Sequence, residues 1–187
     1  GSGTIFFGNC TMQCVYCQNY QISQDSKNQQ ANEVSVRMLS EQMLSLQELG
    51  CHNINLVTPT HFVPQILRAL VEAVPKGLHL PLGYNTNSYD SIDVIKALDG
   101  IVDIYLPDLR YASEQAGREF SRTRDYPDRA RESIKEMYRQ TGDLVVDPIG
   151  VAQRGVIVRH LILPHRLAGS EDSLRWLARE MSPRVAV

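Results

Sequence analysis

The chain has 187 residues, a formal net charge of −2, and is 43% hydrophobic and 21% charged. That length suits one domain and leaves little room for two, and a near-average globular composition excludes a disordered or low-complexity chain. The balanced charge leaves no footprint for nucleic acid or an anionic membrane, so neither is expected as a partner; no apolar run approaches the ~18–20 residues of a membrane span, and no signal-peptide pattern opens the chain.

The segment 3–8 (GTIFFG) is short, apolar and β-prone, and reads as a first strand running straight into a cysteine-rich loop. The polar stretch 24–32 reads as loop. Over 35–49 the apolar residues Val36, Leu39, Met43 and Leu46 fall on one helical stripe, and Gly50 is a natural C-terminal stop. A second strand follows over 53–59 (NINLVTP), then a helix over 62–74 with Pro64 tolerable in its first turn. The third strand, 80–86 (LPLGYNT), is weakened by Pro81 and Gly83. A helix over 90–98 leads to a fourth strand at 101–107 (IVDIYLP). Two helical pieces come next, near 113–120 and 128–140. A fifth strand at 155–163 (GVIVRHLIL), a helix over 171–181 and the start of a sixth strand at 184–187 complete the chain.

Strands that alternate with helices predict a parallel sheet with right-handed crossovers. The expected fold class is α/β, a partial (β/α)6 barrel, parallel and open on one side, because a closed barrel needs eight units and about 250 residues. One domain is expected over 1–187. A flavodoxin-like or Rossmann sheet competes with this reading, but no GxGxxG follows the first strand.

Three of the four cysteines, Cys10, Cys14 and Cys17, lie within eight residues, and Cys51 stands apart. A disulfide framework would spread an even set along a secreted chain, so the crowded thiols point to a soft three-ligand site, and the expected compartment is cytoplasmic. Thiolates select zinc, copper(I) or iron–sulfur clusters. Structural zinc takes four ligands, so a zinc site here would need a further group such as His61 or His160. A 4Fe–4S cluster on three cysteines would leave one iron open to a ligand. Cys51 reads as a small buried core residue.

In (β/α) barrels chemistry sits at the C-terminal strand ends. Five strand ends here carry polar or ligating groups: the three cysteines; Thr58, Thr60 and His61; Asn85, Thr86 and Asn87; Asp108 and Arg110; and Arg159, His160, His165 and Arg166. Any one of these groups alone is ordinary turn or surface chemistry. Together they form a rim for a polar, charged ligand.

CxxxCxxC directly after a first strand, with aromatic Tyr16 before the last cysteine, resembles the radical S-adenosylmethionine superfamily. The stretches GTIFFGNCTMQCVYCQNYQISQ, HNINLVTPTHFVPQIL, YNTNSYDS, LDGIVDIYLPDLRYA and VRHLILP resemble a family related to pyruvate formate-lyase activating enzymes. The resemblance implies a 4Fe–4S cluster on Cys10, Cys14 and Cys17 whose open iron chelates the methionine amino and carboxylate groups of S-adenosylmethionine. Reductive cleavage then gives a 5′-deoxyadenosyl radical that abstracts hydrogen from substrate, the protein's part being to orient the cofactors and keep water out.

The resemblance places Tyr16 beside the adenine. Segment 57–60 takes the place of a GGE motif, and since it holds no carboxylate, the hydroxyls of Thr58 and Thr60, or another residue, would meet the amino group. Asn85, Thr86 and Asp108 match positions near the sulfonium that bind a monovalent cation, with Asn85 where an aspartate is usual. Arg110 stands in place of a lysine and pairs with the methionine carboxylate, and Arg159 approaches the same ligand. The resemblance further implies a substrate that is either a glycyl-radical protein or a small molecule, and a reductant such as flavodoxin or ferredoxin. Chains of the family extend beyond both ends of this one, so a truncated core is expected. The competing function is a non-catalytic zinc or electron-transfer module.

Overall fold

The computed structural model of the chain describes residues 1–25 and 32–187. The central sheet has six strands, β1 (Gly3–Phe6), β2 (Ile54–Val57), β3 (Leu82–Thr86), β4 (Ile104–Pro107), β5 (Val145–Val146) and β6 (Ala152–Val156), in the order β1-β2-β3-β4-β6-β5. The pairs β1–β2, β2–β3, β3–β4 and β4–β6 are parallel. Helices α1 (Tyr20–Ser23), α2 (Val36–Glu48), α3 (Val63–Ala73), α4 (Ile92–Ala97), α5 (Glu114–Ser121), α6 (Tyr126–Thr141) and α7 (Ser170–Glu180) connect them. The sheet is open, and the α/β partial-barrel architecture is the one expected.

Parallel strands buried on both faces need continuous apolar runs, and β2 and β3 supply Ile54, Leu56, Leu82 and Tyr84, all buried. The α2 face is set by Leu39 and Met43 and that of α3 by Val63, Ile66, Leu70 and Ala73, the three- and four-residue spacing that keeps side chains on one helical side. These helices and β2 form one apolar cluster. A second and larger cluster joins β3, β4, α6 and the cysteine loop, drawing in Met12 and Cys14 beside Tyr105, Tyr111, Tyr126 and Ile134. The loop is therefore packed into the core. Ser35 and Ser113 cap α2 and α5, each side chain accepting from the backbone N–H three residues on.

Three expectations need correction. The sheet is not wholly parallel, because β5 pairs antiparallel with β6. Two consecutive apolar residues at 145–146 were too short a run to read as a strand. The fifth strand begins at Ala152 and ends at Val156, and its expected continuation survives as bridges from Arg159 to Asp108 and from Ile157 to Ala186. The sixth strand is reduced to that contact at Ala186. Of the stretch 24–32, residues 26–31 lie outside the described residues. Cys51 is half-buried, with its sulfur close to Gly3.

Gly155 is fixed by two constraints. Its φ is +122°, and an added Cβ would come within 2.5 Å of the Asp143 carbonyl oxygen and 2.6 Å of Leu144 Cα. Gly77 also has a positive φ, +101°, but open space around it. Gly155→Ala should therefore cost well over the ~1–2 kcal/mol of left-handed strain expected for Gly77→Ala. Urea unfolding of the two variants side by side checks this; equal losses would contradict the packing argument.

Candidate active site at the strand ends

A cavity of about 320 Å³ opens at the C-terminal ends of the strands. Cys10, Cys14, Tyr16 and Cys17 wall it from the loop after β1, Thr58 from β2, Asn85 and Thr86 from β3, Asp108 and Arg110 from β4, and Arg159 from the segment after β6. The fold thus gathers ten of the eleven expected site residues around one space. Thr60 is the exception. It turns away from the cavity, with its hydroxyl 3.4 Å from that of Thr86.

Each cysteine sulfur meets a hydrogen-bond donor. Asn87 Nδ2 and the Met12 backbone N–H point at Cys10 Sγ at 3.3 and 3.4 Å. Arg110 Nη1 and Ser121 Oγ each donate to Cys14 Sγ at 3.0 Å. The Ser23 hydroxyl lies 3.2 Å from Cys17 Sγ. Burial pushes the Cys14 thiol above its ordinary pKa, while the Arg110 guanidinium and the Ser121 hydroxyl favour the thiolate. Cys14 and Cys17 also line a second cavity of about 280 Å³ with Gln13, Gln24 and Arg122, so this part of the loop separates two spaces.

Arg110 and Arg159 share one carboxylate. Arg110 Nη2 donates to Asp108 Oδ2 at 2.5 Å, and Arg159 Nε sits 3.7 Å from Asp108 Oδ1. Arg159 Nη1 also donates to Asn85 Oδ1 at 2.9 Å. Burial opposes the Arg110 charge, but Asp108 and Cys14 outweigh it and hold the group protonated. Arg110 Nε is buried and unpartnered. Two cations against one anion leave this wall positive, suited to a ligand carboxylate.

Thr58 adopts φ +57°, a conformation costly for a β-branched residue. Asn9 and Ser88 are other non-glycine residues with positive φ shortly after strands. Strain of this kind collects where surrounding structure enforces a functional geometry.

Several residues of the site have no motif to announce them. Asp90 is buried and accepts from Tyr84 at 3.0 Å and Thr86 at 2.6 Å. Burial raises its pKa against those donors and Thr60. Tyr126, fully buried, donates towards the Asp108 and Asn87 carbonyls at 2.8 and 3.0 Å and accepts from the Arg110 N–H at 3.0 Å. Ser121 and Tyr111 sit behind Cys14. Polarity and helical phase alone cannot identify such long-range partners.

The histidines are less available than their positions imply. His160 Nδ1 donates to the Leu109 carbonyl at 2.5 Å, so Nε2 accepts from Ser170 at 2.8 Å. His61 Nε2 donates to the Gly8 carbonyl at 2.7 Å. Among the described residues, no three His, Cys, Asp or Glu side chains are gathered closely enough to hold a single metal ion, and no helix is long and apolar enough to cross a membrane.

Tyr126→Phe keeps the ring but strands a buried N–H and carbonyls behind the rim. A loss of about 2 kcal/mol is expected, within the ~1–3 kcal/mol typical of an unsatisfied buried polar group. Urea denaturation checks it; a change below about 0.5 kcal/mol would be that of an ordinary surface substitution and would show that the hydroxyl is not needed to hold the rim.

Comparison with known proteins supplies the wider context. The family description "Radical SAM superfamily" matches residues 4–151. The uncharacterized protein MJ0674 of Methanocaldococcus jannaschii is 28% identical over 171 residues, covering 89% of this chain and 46% of that protein. The crystal structure of methylornithine synthase (PylB) superposes with a TM-score of 0.58 at 16% identity, covering 95% of this chain and 49% of that one. The chain therefore spans about half the length of the relatives it matches, and the likeness to PylB is one of fold. With a family match running from the first strand through the cysteine loop and on past β4, the chain belongs to the radical SAM superfamily.

Proposed function

We propose that this chain is the catalytic core of an enzyme in which Cys10, Cys14 and Cys17 hold a 4Fe–4S cluster with one open iron, beside S-adenosylmethionine in the strand-end cavity. The observation that carries this reading is the set of donors aimed at all three cysteine sulfurs on the wall of that cavity. Donors of this kind favour thiolates over thiols and are typical surroundings of cluster sulfurs. Three thiolates on a doubly positive cubane leave one negative charge, and the Arg110 guanidinium lies against it at Cys14. The donor set fits a cluster better than zinc. A cubane joins each cysteine to a different iron, so the thiolates need not converge on one point. Both ring nitrogens of His160 are already engaged.

One-electron reductive cleavage of the sulfonium, and hydrogen abstraction by the resulting 5′-deoxyadenosyl radical, is the chemistry this pair of groups supplies when bound. The chain's own residues orient it. Arg159, its side chain 54% exposed, meets the methionine carboxylate, with Asp108 and Arg110 fixing its place. Thr58 presents its hydroxyl to the amino and sulfonium end, Thr86, its own hydroxyl given to Asp90, shapes the wall beside it, and Tyr16 lies along the adenine. Thr60 acts behind them, through Thr86 and Asp90. A reductant such as flavodoxin or ferredoxin delivers the electron, and the cytoplasm is the compartment that keeps such thiols reduced.

For the substrate, activation of a glycyl-radical protein, as in pyruvate formate-lyase activating enzymes, is the reading we place first. Phe6 and Leu161 line the cavity and are 56% and 50% exposed, an apolar mouth suited to a large partner.

Anaerobic reconstitution should load about four irons per chain, and dithionite should then release 5′-deoxyadenosine from S-adenosylmethionine. Cys14→Ala should do neither. Arg159→Ala should load iron normally and weaken S-adenosylmethionine binding about tenfold, ~1.4 kcal/mol. Stoichiometric zinc without iron in the purified protein, or cleavage by Cys14→Ala, would overturn the proposal. Protein-based glycyl radical signals on incubation with candidate partners test the substrate; their absence alongside turnover of a small molecule would replace it.

A further inference from the structure

Cys14 is held differently from the other two cysteines. It is only 5% exposed, and a line of hydroxyls runs from its sulfur back to the cavity wall. Ser121 Oγ donates to Cys14 Sγ at 3.0 Å. The Tyr111 hydroxyl lies 2.6 Å from Ser121 Oγ, and the Tyr16 hydroxyl is in contact with that of Tyr111. Ser121 and Tyr111 are buried and do not line the cavity, whereas Tyr16 does.

With Cys14 as a cluster thiolate, the direction of this line is forced. A thiolate only accepts, so Ser121 must use its single hydrogen on Cys14. Its oxygen then accepts from Tyr111, and the Tyr111 oxygen accepts from Tyr16. All three hydroxyls therefore point one way, from the cavity towards the sulfur, and the Tyr16 oxygen is left to accept. Consecutive hydrogen bonds polarise one another in a low-dielectric interior. The donor strength felt at Cys14 thus depends on what meets Tyr16. Neither Cys10 nor Cys17 shows such a line in the hydrogen bonds to its sulfur.

We propose that Ser121 and Tyr111 are positioning residues, forming a one-way hydrogen-bond relay that sets the electron density on the Cys14 sulfur and transmits occupancy of the Tyr16 end of the cavity to it. This rests on the reading of Cys14 as a cluster thiolate. Hydrogen bonds to a cluster sulfur favour the reduced, more negative state, so the relay should make reduction easier, and more so when an N–H or O–H of the bound ligand donates to the Tyr16 oxygen.

The test is an EPR-monitored redox titration of reconstituted wild type, Ser121→Ala, Ser121→Thr and Tyr111→Phe, each with and without S-adenosylmethionine, with iron content measured for all. At a fixed ambient potential, Ser121→Ala should lower the ratio of reduced to oxidised cluster about tenfold, ~59 mV for a one-electron couple. Ser121→Thr keeps a hydroxyl and should stay within about twofold of wild type. Tyr111→Phe preserves the ring packing against Phe120 and Tyr126 and should shrink the ligand-induced shift seen in wild type. Iron-loaded Ser121→Ala titrating like wild type, no ligand-induced shift in wild type, or a full shift in Tyr111→Phe would each overturn the relay. Failure of wild type to take up iron would overturn the reading of Cys14 beneath it.

Discussion

The buried guanidinium of Arg110 joins the strand-end rim to the cysteine loop. It reaches Asp108 in one direction and Cys14 in the other, and its backbone N–H is held by Tyr126. A buried charge is tolerated only when it is paired and hydrogen-bonded. This one therefore requires that β4, the loop after β1 and α6 keep their mutual positions. Truncating it would leave Asp108 without its closest cation and Cys14 without its only charged donor among the described contacts. The larger apolar cluster carries the same dependence, since Met12 and Cys14 pack into it alongside Tyr111 and Tyr126.

Around that anchor, every parallel strand contributes one piece of a single wall. The strands end in residues that bind or bend. Thr58 is strained, Thr86 hangs from buried Asp90, and Arg159 bridges Asn85 and Asp108. The result is a cavity whose cysteine loop and arginine rim meet at Arg110, which touches both Cys14 and Asp108. On the proposed reading, a zwitterionic ligand would lie between the cluster and the two guanidinium groups. The second cavity behind Cys14 and Cys17 means that part of the cysteine loop borders two separate spaces.

Much of this was legible in the residues themselves. The helical stripes on α2 and α3 and the apolar runs of β2 and β4 follow directly from side-chain periodicity, and CxxxCxxC after a strand carries the resemblance to the superfamily that the family match shows. What periodicity could not supply were contacts between residues far apart in the chain. Ser121 donates to a sulfur 107 positions away, and Arg110 to the same sulfur across 96; neither has a local signature. Asp90 reads as a helix start, yet its carboxylate is buried under β3, because Tyr84 and Thr86 both turn their hydroxyls towards it. The antiparallel β5 has only two exposed valines and no alternation, and the fifth strand starts three residues before the expected 155, with Gly155, a weak strand former, inside it and not at its start. Thr60 lies in the expected segment, but its hydroxyl sits beside that of Thr86 and not on the cavity wall.

The central claim is that three cysteines hold a cluster while one iron is left to the ligand in the strand-end cavity. Mössbauer spectroscopy of protein reconstituted with ⁵⁷Fe, recorded with and without S-adenosylmethionine, tests it most directly. The account predicts that about a quarter of the iron, the one site of four without a cysteine, changes its isomer shift when the ligand is added while the rest stays as it was. A spectrum that does not respond to the ligand, or one in which all the iron shifts together, would contradict it.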